Sequence, residues 1–425
     1  MGQYRIRGKS RIAGQTGVSG SKNAVLPILA AACLNKGDVE IHNCPRIADT
    51  FLSIEILKHI GCRVDFYENT LWIDASGIHE TNIPGKWVSQ MRSSILFMGA
   101  MLGRAGEVSI AFPGGCDIGK RAIDFHLKGL QAMGAAINHE DDILHCKGPL
   151  TGADIRLETA SVGATENLML AAVFAKGTTT ISNAAMEPEI VDLAQFLQGM
   201  GAVVRGAGTN RIAIEGVTKL TGTTHTVISD RIVAGTYLVA AAMTGGDINI
   251  TGINPQNVVS VSAKLAQMGC KVGYGTDFVT LKGPDRLKSL PYIETAEFPG
   301  FPTDMQAQFV AALSIAEGGS VVKERIFDSR DAHAYGLRLM GADIDIRNVT
   351  LHEERGITVF DINGVPTLTG ATVEAKDLRG GAALVLAGLV ADGETVVKNA
   401  KYVQRGYEHI EKDLTSLGAD VWLEV

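Results

Sequence analysis

Ala194-Gln195-Phe196-Leu197-Gln198-Gly199-Met200-Gly201-Ala202 is one of six copies of a single signal in this chain. Its apolar residues have the spacing of a one-sided helix, and the glycine after Met200 ends that helix. The same ending recurs at Ile60-Gly61-Cys62, Met133-Gly134-Ala135, Met268-Gly269-Cys270, Met340-Gly341-Ala342 and Leu417-Gly418-Ala419. The interval is about 70 residues, well above the periods of short solenoid repeats.

Each copy reads alike. An Ala/Leu-rich helix such as Ala24 to Leu34 or Ala382 to Val390 leads into an alternating strand such as Asp38 to His42 or Asp247 to Ile250. A second, amphipathic helix and a strand pair follow, with Arg211 to Glu215 alternating as a strand does. Helices that are apolar all round are buried on several sides. The pattern predicts an α/β chain of two domains, each of three copies, with helices inside and sheets outside. Three copies make about 210 residues, the size expected of one domain.

The chain has 425 residues, 46% hydrophobic and 20% charged, with 39 basic against 46 acidic residues and a formal net charge of -7. No run of like charge marks a nucleic-acid partner. Met1 to Ser10 is polar and basic, and the longest apolar runs, such as Ala382 to Val390, are too short to span a bilayer. A cytoplasmic monomer with small-molecule substrates and no membrane partner is expected. The six cysteines form no CxxC pair, which fits a reducing compartment.

The first helix of each copy starts at an equivalent point, and those points are charged: Lys22 with Asn23, Arg92, Asp230 with Arg231, Asp304, and Asp377 with Arg379. The third copy instead offers the small-residue turn Ser161-Val162-Gly163-Ala164-Thr165. Helix N-termini present unsatisfied N–H groups and attract anions. Lys22, Arg92 and Arg379 oppose the helix dipole there, an arrangement that an anionic ligand relieves. Solvated surface charge is the competing reading for each one taken alone.

Pro113-Gly114-Gly115-Cys116-Asp117-Ile118-Gly119-Lys120-Arg121 is a Gly-rich loop after the strand Val108 to Phe112, and its basic residues favour a thiolate at Cys116. The loop also fits G-x-x-x-x-G-K, but Arg121 stands where a Ser or Thr would ligate magnesium. Cys62 and Cys270 replace the Ala of other copies and read as core residues, as do Cys33 and Cys146, while Cys44 stays open. Gly206-Ala207-Gly208 precedes a strand and reads as a hairpin turn. His139-Glu140-Asp141-Asp142 lies in another hairpin turn and lacks metal-ligand spacing.

Ser21 to Ala24, Met91 to Ser94, Pro113 to Arg121, Ser161 to Thr165, Ala185 to Asp192, Phe301 to Gln308, Asp377 to Arg379 and Arg405 to Glu408, in that order and spacing, resemble the UDP-N-acetylglucosamine enolpyruvyl transferases of bacteria. The resemblance covers essentially the whole chain. It implies two inside-out α/β barrel domains built from six βαβαββ units: residues 1–20 with 230–425 form one, and 21–229 form the other, which carries the Cys116 loop. It also implies an active site in the cleft between them. The implied activity moves the enolpyruvyl group of phosphoenolpyruvate to the 3'-hydroxyl of UDP-N-acetylglucosamine by addition and elimination, releasing phosphate, at the first committed step of peptidoglycan precursor synthesis.

By the same resemblance, Cys116, Asp304, Lys22, Asn23 and Arg405 are the catalytic set, and Lys22, Asn23, Arg121, Arg379 and Arg405 hold phosphoenolpyruvate. Arg92, Arg121, Ala122, Ile123, Asp124, Phe125, Ser161, Val162, Gly163, Asp304, Ile326 and Arg330 hold the UDP-sugar. Neither a metal nor an organic cofactor is implied. The chemistry suits these residue types, since a thiol can protonate C3 of phosphoenolpyruvate and a doubly anionic substrate needs several cations. A sister enzyme uses 3-phosphoshikimate as acceptor on the same fold, and the stretch Pro113 to Phe125 argues against it.

Overall fold

The computed structural model describes residues 2–114, 123–351 and 355–425. Cys116, Arg121 and Ala122 lie outside the described residues. Gly61, Gly134, Gly201, Gly269, Gly341 and Gly418 all take φ from 91° to 111°, the left-handed conformation that a residue without Cβ adopts at no steric cost. The residue after each glycine donates its N–H to the carbonyl five positions earlier, as in Ala202 to Leu197 at 3.0 Å and Cys62 to Leu57 at 2.9 Å. This closes each helix with a Schellman-type bond. That following residue is buried in every copy, which explains why it is Ala or Cys.

Six four-stranded sheets follow from the six copies. In one of them Asn82–Ile83 lies parallel to Glu107–Ala111, which pairs antiparallel with Ile143–Lys147, which pairs in turn with Ala136–Glu140. The parallel pair spans a helix and the antiparallel pair is a hairpin, so this sheet is one contiguous βαβαββ unit, whereas three of the six sheets take one strand from a distant segment. Tertiary contacts divide the chain into two compact units, one drawing on residues 2–19 and 229–425, the other on 20–114 and 123–228. In the inserted unit, Thr223–Thr226 runs parallel beside Asp38–His42 and completes the first sheet. In the other unit, Gln3–Arg7 sits between Glu394–Lys398 and Asp420–Glu424, and Ala13–Gly17 lies parallel to Asp247–Thr251. The N-terminal strands thus supply one strand to each of two sheets otherwise formed by residues beyond 246.

Each unit has its own apolar core. The helix Arg231–Met243 is buried along its whole length, and Leu378–Val390 is buried through Leu389. Small residues let such helices approach closely. A Cβ on Gly99, in the helix Leu96–Ala105, would stand 2.3 Å from the carbonyl oxygen and the Oδ1 of Asn167 in the helix Val162–Ala172. The predicted arrangement of inner helices and outer sheets is therefore the observed one.

Two local differences stand out. The strand predicted over Val108 to Phe112 spans Glu107–Ala111, and the Phe112 N–H turns to the carbonyl of Asp142 at 2.9 Å. Cys33 caps the helix Lys22–Ala32 from just outside it. Among the described residues no helix is long and apolar enough to cross a membrane.

Candidate active site

Within the unit that carries both termini, Asp304 sits on the short 3-10 helix Thr303–Met305 that precedes the buried helix Gln306–Leu313. Arg330 donates from Nη2 to its Oδ1 at 2.9 Å, and Arg379 from Nη2 to its Oδ2 at 3.3 Å. Both carboxylate oxygens of Asp304 therefore accept from a guanidinium. Arg379 is 1% exposed, and its Nε and Nη1 have no hydrogen-bond partner among the described residues. Burial opposes the charge on Arg379, but Tyr407, Asp304 and Asp230 outweigh it and raise its pKa above the ordinary arginine value. Buried donors without acceptors are costly, and an anion is the group that satisfies them.

Arg379 is placed by its own helix start. Asp377, the N-cap of Leu378–Val390, accepts the N–H groups of Arg379 at 3.0 Å and Gly380 at 2.9 Å. Asp230 does the same for Ile232 and Val233, the first turn of Arg231–Met243. The charges at residues 230 and 377 are thus engaged as helix caps. Arg405 ends the 3-10 helix Ala400–Arg405 in the same unit.

Ile326 is set by Glu324, a fully buried carboxylate at the end of the strand Gly319–Glu324. Its Oε1 accepts the N–H groups of Ile326 at 2.7 Å and Phe327 at 3.2 Å, together with the hydroxyl of Thr295 at 2.9 Å. Its Oε2 accepts from Thr303, which itself accepts from Arg330 Nη1 at 2.9 Å. One buried acid thus ties the Ile326 turn to the Asp304 and Arg330 pair. An acidic residue at a strand end carries no sequence signal of this role.

In the inserted unit, Lys22 is the first residue of the helix Lys22–Ala32, and its Nζ pairs with Asp49 at 2.8 Å. Asn23 follows it, half-buried. Arg92 lies on the 3-10 helix Arg92–Ile95, and burial lowers its pKa. Ser161 caps the helix Val162–Ala172, its Oγ accepting the Ala164 N–H at 3.3 Å. Ile123 is buried, whereas Asp124 is exposed and Phe125 half-buried at the start of the helix Asp124–Ala132.

His126, which sequence reasoning passed over, brings three of these elements together. Its ring lies within 3.5 Å of where a Cβ of Gly163 would stand, and its Nδ1 is 2.9 Å from Asn167 Nδ2. The Asn167 Oδ1 accepts the Gly99 N–H at 2.8 Å, so the amide group must present its N–H to His126. Nδ1 is then the acceptor, and the neutral ring carries its proton on Nε2. Burial, with the charge of Arg92, holds the pKa down at about 3. Glu166, one turn along the same helix, is also buried, and burial with Glu189 and Glu187 nearby pushes its pKa well above the usual carboxylate range.

Comparison with known proteins agrees with this architecture. A family model described as EPSP synthase (3-phosphoshikimate 1-carboxyvinyltransferase) matches residues 6–414. A protein of Caldanaerobacter subterraneus subsp. tengcongensis named UDP-N-acetylglucosamine 1-carboxyvinyltransferase 2 is 50% identical over 422 residues, 99% of this chain and 99% of that protein. A UDP-N-acetylglucosamine 1-carboxyvinyltransferase 1 of Symbiobacterium thermophilum is 48% identical over 427 residues, 99% of this chain and 94% of that protein. Among solved structures, the enolpyruvyl transferase NikO from Streptomyces tendae superposes with a TM-score of 0.85 at 25% identity, covering 99% of this chain and 98% of that one. An EPSP synthase from Acinetobacter baumannii shares the fold, with a TM-score of 0.72 at 21% identity and 100% of both chains covered. With six four-stranded sheets and half its residues in common with a relative matched over 99% of both chains, the chain belongs to the enolpyruvyl (1-carboxyvinyl) transferase family.

Proposed function

We propose that the chain transfers the enolpyruvyl group of phosphoenolpyruvate to the 3'-hydroxyl of UDP-N-acetylglucosamine and releases phosphate, the transfer for which its relatives are named. The observation that carries this reading is Arg379, a buried cation with two unpartnered nitrogens beside a carboxylate, Asp304. A carboxylate or phosphate of phosphoenolpyruvate suits those donors. Lys22, Asn23, Arg121 and Arg405 are the other groups assigned to that substrate. Arg92, the stretch Arg121 to Phe125, the turn Ser161 to Gly163, Ile326 and Arg330 are assigned to the nucleotide sugar.

In the addition step, the sugar oxygen bonds to C2 of phosphoenolpyruvate, its proton passes to Asp304, and Cys116 delivers a proton to C3. In the elimination step, the bond from C2 to the phosphate oxygen breaks, phosphate leaves, and a proton passes from C3 back to the Cys116 thiolate, which restores the double bond and the thiol. Each carboxylate oxygen of Asp304 accepts one guanidinium bond and has a second lone pair for a proton, and transfer of Arg379 from Oδ2 to the substrate anion would make the carboxylate the stronger base.

Mass spectrometry of reactions containing both substrates tests the assignment. Wild-type protein should form the enolpyruvyl nucleotide sugar, and Asp304→Asn should form it at least about a hundredfold more slowly, because the base is gone. Normal turnover by Asp304→Asn would move the proton acceptor elsewhere, and no product from the wild type would refute the function.

A further inference from the structure

Behind Asp304 and Arg379 lies a fully buried polar cluster, Gln308, Thr236 and Tyr407, contributed by three separate segments of the same unit. Thr236 is on the helix Arg231–Met243, Gln308 on Gln306–Leu313, and Tyr407 follows the 3-10 helix that ends at Arg405. Gln308 Nε2 donates to the Asp304 carbonyl oxygen at 3.0 Å and to Thr236 Oγ1 at 3.1 Å, with Tyr407 Oη at 3.4 Å. Thr236 Oγ1 is 2.8 Å from Tyr407 Oη and 2.8 Å from the Ile232 carbonyl oxygen. The Arg379 guanidinium carbon stands over the Tyr407 ring, 5.4 Å from its centroid.

The proton positions in this cluster are fixed. A carbonyl oxygen only accepts, so Thr236 must donate to Ile232, and Tyr407 must therefore donate to Thr236. The Asp304 carbonyl oxygen likewise obliges Gln308 to present its NH2 group. The opposite atom, Gln308 Oε1, is buried with no hydrogen-bond partner among the described residues. Turning the amide over would set two acceptors against each other at Asp304. The side chain is thus held in an orientation that leaves its own oxygen unsatisfied while it binds the Asp304 backbone. In this orientation the Gln308 amide reaches both the Asp304 backbone and the Thr236 hydroxyl, so the cluster is joined directly to the segment that carries Asp304.

We propose that Gln308, Thr236 and Tyr407 are positioning residues for the transfer reaction, fixing the Asp304 backbone from one side and the Arg379 guanidinium from the other. The proposal rests on the roles given above to Asp304 and Arg379. The role given to the three acts through Asp304 and Arg379. Their effect is to hold the proton acceptor and the anion-binding cation at a set separation, and errors of an ångström in such geometry cost large factors in rate.

Steady-state kinetics of Thr236→Val, Thr236→Ser and Tyr407→Phe in the full-length chain test this. Thr236→Val and Tyr407→Phe should each lower kcat by about tenfold while KM for UDP-N-acetylglucosamine changes by less than about threefold. Thr236→Ser keeps the hydroxyl and should stay within about twofold of the wild type in kcat. A kcat near the wild-type value in both Thr236→Val and Tyr407→Phe, or equal losses in the Ser and Val variants, would overturn the proposal. Crystal structures of the Val and Phe variants decide it independently of turnover: Asp304 and Arg379 should move apart from their 3.3 Å contact, and unchanged positions would refute the positioning role. Absence of turnover in the unaltered chain would instead count against the functional assignment.

Discussion

Arg379 reaches Asp304 with a single guanidinium nitrogen, 3.3 Å from the carboxylate, and its other two nitrogens have no hydrogen-bond partner among the described residues. Arg330 holds the opposite oxygen of Asp304 more closely, at 2.9 Å, and spends a second nitrogen on Thr303. The two arginines therefore differ in how many donors they keep. Arg330 gives two nitrogens to the protein and only its Nε has no partner among the described residues, whereas Arg379 gives one and keeps two.

Replacement of Arg379 should separate these roles. Arg379→Ala should lower kcat/KM for phosphoenolpyruvate by at least about a hundredfold, as expected when one member of a buried charged pair is removed. Arg379→Lys should still lose about tenfold or more, because an ammonium lacks the planar fork. KM for the nucleotide sugar should change much less, and initial-rate kinetics with each substrate varied in turn read the difference. An unaltered KM for phosphoenolpyruvate in Arg379→Ala would contradict the anion-binding role.

Gly99→Ala tests the packing of the inserted unit. The new Cβ would lie 2.3 Å from both oxygens of Asn167, one of them backbone. A loss of about 3 kcal/mol or more in stability is expected, at the upper end for overpacking, since a backbone atom cannot swing away. The His126 ring should lose its Asn167 partner as well. Thermal unfolding checks the first point, and a midpoint like that of the wild type would show that the two helices separate easily.

Two buried histidines set an acid limit on stability. His126 is held down at about 3 and His333 at about 4, in both cases chiefly by burial. Against an unfolded value of about 6.5, the unfolded chain binds more protons than the folded one below that pH. Stability should therefore be unaffected by these groups above pH 6.5 and fall progressively from there toward pH 4. Melting curves across that range should show the decline, and His126→Gln should make it shallower. In spectra of the native chain, neither ring should titrate between pH 5 and 8.

The described cysteines Cys33, Cys44, Cys62, Cys146 and Cys270 are all buried, and burial pushes Cys146 up to about 11 and Cys270 up to about 12. Brief treatment with an epoxide phosphonate should therefore add one group per native chain, on Cys116, as peptide mapping would reveal. Cys116→Asp should escape labelling yet retain turnover, because a carboxylic acid still delivers a proton, whereas Cys116→Ser should lose most of it. Labelling of Cys33 or Cys44 in place of Cys116 would contradict this.

What could be read from the sequence was what is decided locally. A helix that ends in a left-handed residue needs glycine, and the bond that closes it leaves room only for a small side chain next, so six helix ends were visible as Gly-Ala or Gly-Cys. Inner helices were visible because Ala, Leu and Gly surround them on every side. Asp230 and Asp377 stood out in the sequence only as charges at helix starts, and each serves its own helix as a cap. Pairings between distant segments left no trace: Arg379 lies 75 residues from Asp304, and Tyr407 lies 171 from Thr236. Glu324 and His126 were passed over for the same reason, since a lone acid in a strand or a lone histidine in a helix acquires its role only from what packs against it.

Phosphate release from phosphoenolpyruvate by the purified chain distinguishes the assigned acceptor from every other. With UDP-N-acetylglucosamine present, phosphate should appear in step with the enolpyruvyl nucleotide sugar, and with shikimate 3-phosphate or no acceptor it should not. Equal release with shikimate 3-phosphate, or release that needs no acceptor, would contradict the assignment.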